Sequence, residues 1–187
     1  PPDGCAVVLG AGSMGLLHLL VLKAALPDLE VIVIDPVSER RALAQQLGAA
    51  DTAPPGEAAH ASVRTATDDL GADAAFDTVG GGGTLQDGLG MTRQGGTVVL
   101  FAHAPDGDSA RVDLNSVFKY ERRILGTYSA SVKEQSDIFE LLDRGALDPS
   151  PLVTHTMPLD DFARGVELVK THQALKVLFT PSGESPQ

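Results

Sequence analysis

The sequence predicts an α/β fold, a doubly wound parallel sheet of about six strands with a C-terminal extended-helix-strand segment. Three observations carry this. Short apolar β-runs alternate with helical stretches along most of the chain. A glycine-rich turn, Gly10-Ala11-Gly12-Ser13-Met14-Gly15, joins the first run to the first helix. The second run closes on an acid, Asp35.

In chain order, Cys5–Leu9 is the first apolar strand, and the unbroken apolar stretch Leu16–Leu26 reads as a buried helix stopped by Pro27-Asp28. Glu30–Ile34 is the second strand, and Ser38–Leu47 a helix ended by Gly48. Strand, turn, helix and strand make one βαβ unit with a right-handed crossover. Ala49–Thr52 is a short strand, Ala53–Leu70 an Ala-rich helix, Ala74–Thr78 a strand running into Gly80–Gly83, and Thr84–Met91 a helix. Gly95-Gly96 is expected as a turn before the β-branched strand Thr97–Phe101. A polar loop, Ala104–Ala110, leads to a short helix or turn at Val112–Tyr120 and a strand at Arg123–Tyr128. Ser131-Val132-Lys133-Glu134 has the pattern of a capping box opening a helix to Asp143. A boundary is expected near Pro149. This gives a dinucleotide-binding Rossmann domain at 1–149, a return segment at 150–180 and a loose tail at 181–187. Within the return segment, Leu152–Thr156 is extended, Leu159–Lys170 helical and Lys176–Phe179 a strand.

Composition narrows the function. A formal charge of −11 argues against a nucleic-acid surface, which needs clustered Lys and Arg. No apolar run reaches the ~20 residues of a membrane helix. The single cysteine, Cys5, excludes an internal disulfide and reads as a buried strand residue. The chain opens Pro-Pro-Asp-Gly-Cys with no signal-like segment, so a cytoplasmic setting and a start at a linker are expected.

The glycine turn carries the chemistry. Gly10 allows the tight turn, Gly12 lets backbone approach a pyrophosphate, and Gly15 lets the helix pack on the sheet. The N–H groups of Ser13 and Met14 start the helix, where phosphate oxygens bind. Asp35 lies 20 residues after Gly15, the spacing at which a carboxylate meets the adenosine ribose. That carboxylate accepts from the 2′- and 3′-hydroxyls of NAD and repels the 2′-phosphate of NADP, although Arg40 and Arg41 stand nearby. A methyltransferase also uses a Gly-rich turn and an acid, but its glycines are usually spaced differently.

With these pieces in order, the chain resembles the C-terminal, cofactor-binding half of a zinc-dependent medium-chain dehydrogenase/reductase of the sorbitol, threonine and alcohol dehydrogenase branch. Val7 to Gly15 resembles the family's V-x-G-A-G-P-I-G, and Asp35 to Arg41 with Leu47-Gly48-Ala49-Ala50-Asp51 its D-x-x-x-x-R and L-G-A-D. Gly71 to Gly80 resembles G-A-D-V-V-I-E-x-x-G, and Gln94 to Leu100 resembles R-x-G-G-x-V-V. Leu152-Val153-Thr154-His155 with Pro158-Leu159 resembles L-V-T-H-x-F-P-L.

The resemblance implies a cofactor set of Gly10, Gly12, Ser13, Met14, Gly15, Asp35, Pro36, Arg40, Val79, Gly80, Phe101, Ala102, Thr127 and Tyr128. Asp35 and Arg40 fall on ribose ligands, Pro36 and Val79 on the adenosine slot, and Phe101, Ala102, Thr127 and Tyr128 beside the nicotinamide. Lys176 falls near a basic residue that reaches the pyrophosphate in relatives. The chain departs from the family at Ala102-His103 and at Ser129, which replace a Gly and an Arg near the nicotinamide. His103 is the one histidine placed there.

No catalytic residue or metal ligand is assigned to this chain. The family's zinc ligands lie in a preceding domain, and His18, His60, His103, His155 and His172 form no close motif. The resemblance implies hydride transfer between a secondary alcohol or polyol and NAD in the intact enzyme. This chain alone is expected to bind NAD without turning over. A stand-alone NAD(H)-binding module and the cofactor domain of a zinc-free reductase are the alternatives. A homodimer or tetramer through strand 123–128 is the implied assembly.

Overall fold

The computed structural model describes residues 3–181 and divides into two compact units, which meet in sequence at Leu147 and Asp148. The Pro-Pro start and residues 182–187 of the expected tail lie outside the described residues.

The first unit is a six-stranded parallel sheet with the order β3-β2-β1-β4-β5-β6. Its strands are β1 (Cys5–Leu9), β2 (Glu30–Ile34), β3 (Asp51–Ala53), β4 (Ala72–Asp77), β5 (Thr92–Leu100) and β6 (Arg123–Gly126). The order reverses between β1 and β4, the place where a doubly wound sheet opens a crevice at the carboxyl ends of its strands. Helices α1 (Ser13–Ala25), α2 (Ser38–Gln46), α3 (Glu57–Ala66), α4 (Gly82–Met91), α5 (Leu114–Phe118) and α6 (Val132–Asp143) fill the connections. Because β1 and β2 are central and covered on both faces, they are apolar throughout: Val7, Val8, Val31, Ile32 and Val33 are fully buried. The expected capping box opens α6, with Ser131 N donating to Glu134 at 2.6 Å and Glu134 N donating to the Ser131 hydroxyl at 3.2 Å.

Three local expectations are corrected. The Ala-rich helix is shorter than 53–70, because Pro54 and Pro55 precede it and Asp68 and Asp69 take left-handed backbone just after its end. Gly95-Gly96 does not separate a turn from a strand. It forms a bulge inside one strand, β5, where Gly95 adopts φ +72° and the pairing with β4 jumps from Ala72–Thr92 to Ala74–Thr97. The C-terminal segment is extended later than expected, since Ser150–Leu152 forms a 3-10 turn.

Cys5 is buried at the start of β1, and burial, with Glu30 and Asp73 nearby, pushes its thiol up to about 11. Beside it, Asp73 accepts the N–H of Cys5 at 3.0 Å and both Nε and Nη2 of Arg93 at 2.7 Å. Burial alone would raise the Asp73 carboxyl, but these donors outweigh it and hold it below its ordinary value.

The second unit pairs β7 (His155–Pro158) in parallel with β8 (Val177–Thr180), joined by α7 (Phe162–Lys170). Gly165 lets α7 lie against Phe179, since a Cβ there would stand 2.4 Å from the ring. Among the described residues no helix is long and apolar enough to cross a membrane.

Candidate functional site

The site is built at the carboxyl ends of β1, β2, β4, β5 and β6. Gly10 leaves β1 at φ +98°, a conformation open to glycine, and donates its N–H to Ile34 O of β2 at 2.7 Å. A Cβ at Gly15 would lie 1.8 Å from Gly10 O, so only glycine lets α1 sit this close to the turn. Gly12 is the opposite case: nothing lies within 4 Å of where its Cβ would be. The space beside Gly12 is therefore open at the start of a 13-residue helix that has no side-chain cap and no acid in its first turn. Such a terminus offers backbone N–H groups and partial positive charge to an anion.

Asp35 is buried at the tip of β2. Its Oδ2 accepts the N–H of Ala11 at 2.7 Å, and its Oδ1 that of Val37 at 2.8 Å. An ionised carboxylate has about four acceptor positions, so these bonds fix its orientation without exhausting it. Arg41 locks the same turn by donating to Asp35 O at 2.7 Å and Pro36 O at 3.0 Å. Arg40 follows Asp35 on the partly exposed first turn of α2.

Two cavities flank this centre. One, of about 220 Å³, is lined by Gly10, Pro36, Pro55, His60, Val79 and Asp87 among others, and is mostly apolar. The other, of about 230 Å³, gathers Phe101, Ala102, His103, Thr127 and Tyr128 at the ends of β5 and β6. His103 meets Tyr128 edge-on at 5.7 Å, and Phe101 packs edge-on against His18 of α1 at 4.6 Å. Met14, Val79, Phe101 and Tyr128 are all exposed apolar side chains, so the crevice presents an uncovered apolar lining around a polar turn. A larger cavity, about 310 Å³, opens at the amino ends of the strands, where Asp73 and Arg93 pair with each other.

The structure thus brings Gly10, Gly12, Ser13, Met14, Gly15, Asp35 and Pro36 together around one turn, with Val79 and Gly80 on the adjoining β4 turn. Lys176 lies in the second unit, where its carbonyl accepts the N–H of Thr154 at 3.0 Å. Sequence reasoning missed Asp77. It is buried at the end of β4, accepts from Val79 N at 3.0 Å, Gly80 N at 2.8 Å and the Thr84 hydroxyl at 2.7 Å, and so shapes the β4 turn as Asp35 shapes the β2 turn. The signal was present: an Asp at the end of β4, or just after β2, accepts the N–H two residues on. His60 and Asp87 were also missed as parts of the site, and Arg41 was noted only as a nearby charge. Among the described residues no three His, Cys, Asp or Glu side chains converge to hold a metal ion.

Residues 13–146 match the family described as zinc-binding dehydrogenase. The chain belongs to that family. As a zinc-binding dehydrogenase it is 30% identical over 186 residues to L-threonine 3-dehydrogenase of Bacillus subtilis, covering 97% of this chain and 52% of that protein. It is 29% identical over 193 residues to sorbitol dehydrogenase of Rattus norvegicus, covering 96% and 51%. Among solved structures, alcohol dehydrogenase TADH from Thermus sp. ATN1 superposes with a TM-score of 0.85 at 31% identity, over 96% of this chain and 52% of that one. The alcohol dehydrogenase rspB of E. coli CFT073, solved with NADH, shares the fold with a TM-score of 0.85 at 22% identity, over 96% of this chain and 52% of that one. The chain spans about half the length of the curated relatives it matches. The family resemblance drawn from the sequence therefore holds: the chain matches about half the length of zinc-binding dehydrogenases.

Proposed function

We propose that this dehydrogenase chain is the NAD(H)-binding portion of an enzyme that transfers hydride between a secondary alcohol or polyol and NAD. The observation that carries the reading is Asp35, held by Ala11 N and Val37 N at the tip of β2 beside the glycine turn. From there its free acceptor positions take the 2′- and 3′-hydroxyls of an adenosine ribose, and its charge disfavours a 2′-phosphate. Arg40 supports the ribose from α2. The N–H groups of Ser13 and Met14 take pyrophosphate oxygens over the open face of Gly12. Pro36 and Val79 wall the adenosine slot, and Gly80 lets the β4 turn pass close to His103, whose carbonyl oxygen would lie 2.3 Å from a Cβ there. Phe101, Ala102, Thr127 and Tyr128 line the cavity at the ends of β5 and β6 and orient the nicotinamide, with His103 beside them. When bound, the nicotinamide supplies the hydride acceptor. The zinc that polarises the alcohol is assigned to the catalytic half of the intact enzyme.

The chain pairs with a second copy through β6. Ile124 and Leu125 on this edge strand are exposed, as an unpartnered apolar edge is before association.

Fluorescence titration of NADH and NADPH into the purified chain tests the reading. NADH is expected to bind at least about tenfold more tightly, a difference of about 1.4 kcal/mol. Binding of neither nucleotide, or a preference for NADPH, overturns it.

A further inference from the structure

We infer that His60 and Asp87 form a base-reading pair that selects adenine over hypoxanthine at the adenosine end of the site. The inference rests on the dinucleotide reading above and goes beyond it, because the glycine turn and Asp35 recognise phosphate and ribose and are indifferent to the base.

The cavity of about 220 Å³ starts at Gly10 and Pro36, next to the ribose carboxylate, so its far wall is where a base must lie. Most of that wall is apolar: Leu9, Ile34, Pro55, Ala59 and Met91 offer surfaces for a flat ring. Three polar side chains break the pattern, and one of them, Thr84, bonds its hydroxyl to Asp77 and Gly81. His60 comes from α3 and Asp87 from α4, and both line the cavity. His60 Nε2 stands 3.9 Å from Asp87 Oδ1, too far for a hydrogen bond, so the two are neighbours that do not satisfy each other. Gly90 leaves room for the imidazole: a Cβ there would come within 2.9 Å of His60 Cε1, so a larger residue at position 90 would displace the ring.

An ionised carboxylate only accepts hydrogen bonds, and an imidazole donates from the ring nitrogen that carries its proton, which base reading requires to face the cavity. Side by side they present an acceptor and a donor. The polar edge of adenine offers the complement, an amino donor next to a ring-nitrogen acceptor. Hypoxanthine inverts both positions: its carbonyl oxygen faces the Asp87 carboxylate and its ring N–H faces the His60 donor. An inverted edge leaves polar groups of the cavity unpaired, the situation in which discrimination is largest.

The experiment compares the binding of NADH and reduced nicotinamide hypoxanthine dinucleotide to the chain, read by nicotinamide fluorescence. The hypoxanthine form is expected to bind about tenfold or more weakly. In Asp87→Asn the amide can donate to the hypoxanthine carbonyl, so the preference should fall to within about threefold or reverse. His60→Phe keeps a packed ring without a donor and should also narrow the preference. Equal affinity for the two dinucleotides in the wild type, or an undiminished adenine preference in Asp87→Asn, overturns the base-reading pair and leaves the dinucleotide site standing. Failure to bind either dinucleotide overturns the site itself.

Discussion

The carboxylate of Asp35 accepts the backbone N–H of Ala11 across 2.7 Å, so the tip of β2 is bonded to the middle of the glycine turn that follows β1. One side chain therefore shapes the glycine turn and, in the proposed function, holds the ribose. Its two duties are separable by experiment.

Asp35→Ala leaves the N–H groups of Ala11 and Val37 without this acceptor. Loss of stability of about 1–3 kcal/mol is expected in urea denaturation, because buried donors lose their partner. Binding of NADH should be lost as well. An unchanged denaturation midpoint would contradict the structural half of the role.

The three glycines of the turn divide between packing and ligand access. Gly15→Ala places a methyl 1.8 Å from Gly10 O, backbone against backbone, and should destabilise the chain by about 3 kcal/mol or prevent folding. Gly12→Ala adds its methyl to open space at φ −74°, so stability should stay within about 0.5 kcal/mol of the parent. Its dinucleotide affinity should nevertheless drop at least about tenfold, because the methyl stands where the pyrophosphate approaches. Thermal melts and NADH titrations on both variants separate the two functions.

Asp73 predicts an acid-side signature. Its carboxyl is held below the ordinary 3.8 in the folded chain, so the unfolded chain binds its proton first as pH falls. The contribution is fully present above pH 3.8 and is lost as pH drops through the lower folded value. Asp73→Asn should be less stable than the parent at neutral pH, and the gap in melting temperature should close as the pH falls below 3.8. A gap constant with pH would mean that packing, and not charge, sets the difference.

The proposed pairing through β6 makes Leu125 its sharpest probe, since it is 55% exposed on the edge strand. Leu125→Lys puts a charge on that edge and should shift the chain from dimer to monomer in light scattering while leaving the melt of the monomer nearly unchanged. A monomeric parent would refute the pairing.

What could be read from sequence was local. The glycine turn, the strand before it and Asp35 carry their meaning within about thirty residues, a single βαβ unit. The Ser131–Glu134 capping box was equally local and formed as read. The β5 bulge was not legible, because Gly95-Gly96 has the chemistry of a turn. It becomes part of a strand through distant partners: Gly95 N bonds Tyr120 O at 2.8 Å and Thr92 pairs with Ala72. His60 and Asp87 escaped notice for the same reason. They sit on different helices, and each alone looks like a solvated position; the cavity exists only when α3 and α4 both pack on the sheet.

The place of β1 in the sheet has a consequence for how the chain acquires its shape during synthesis. β1 is first in sequence but lies between β2 and β4, and its bond from Cys5 N to Asp73 spans 68 residues. Until β4 emerges from the ribosome, one whole edge of the most apolar strand has no neighbour. A nascent or truncated chain ending before Ala72 thus displays a bare template for aggregation, and chaperone demand should fall sharply once Asp77 is out.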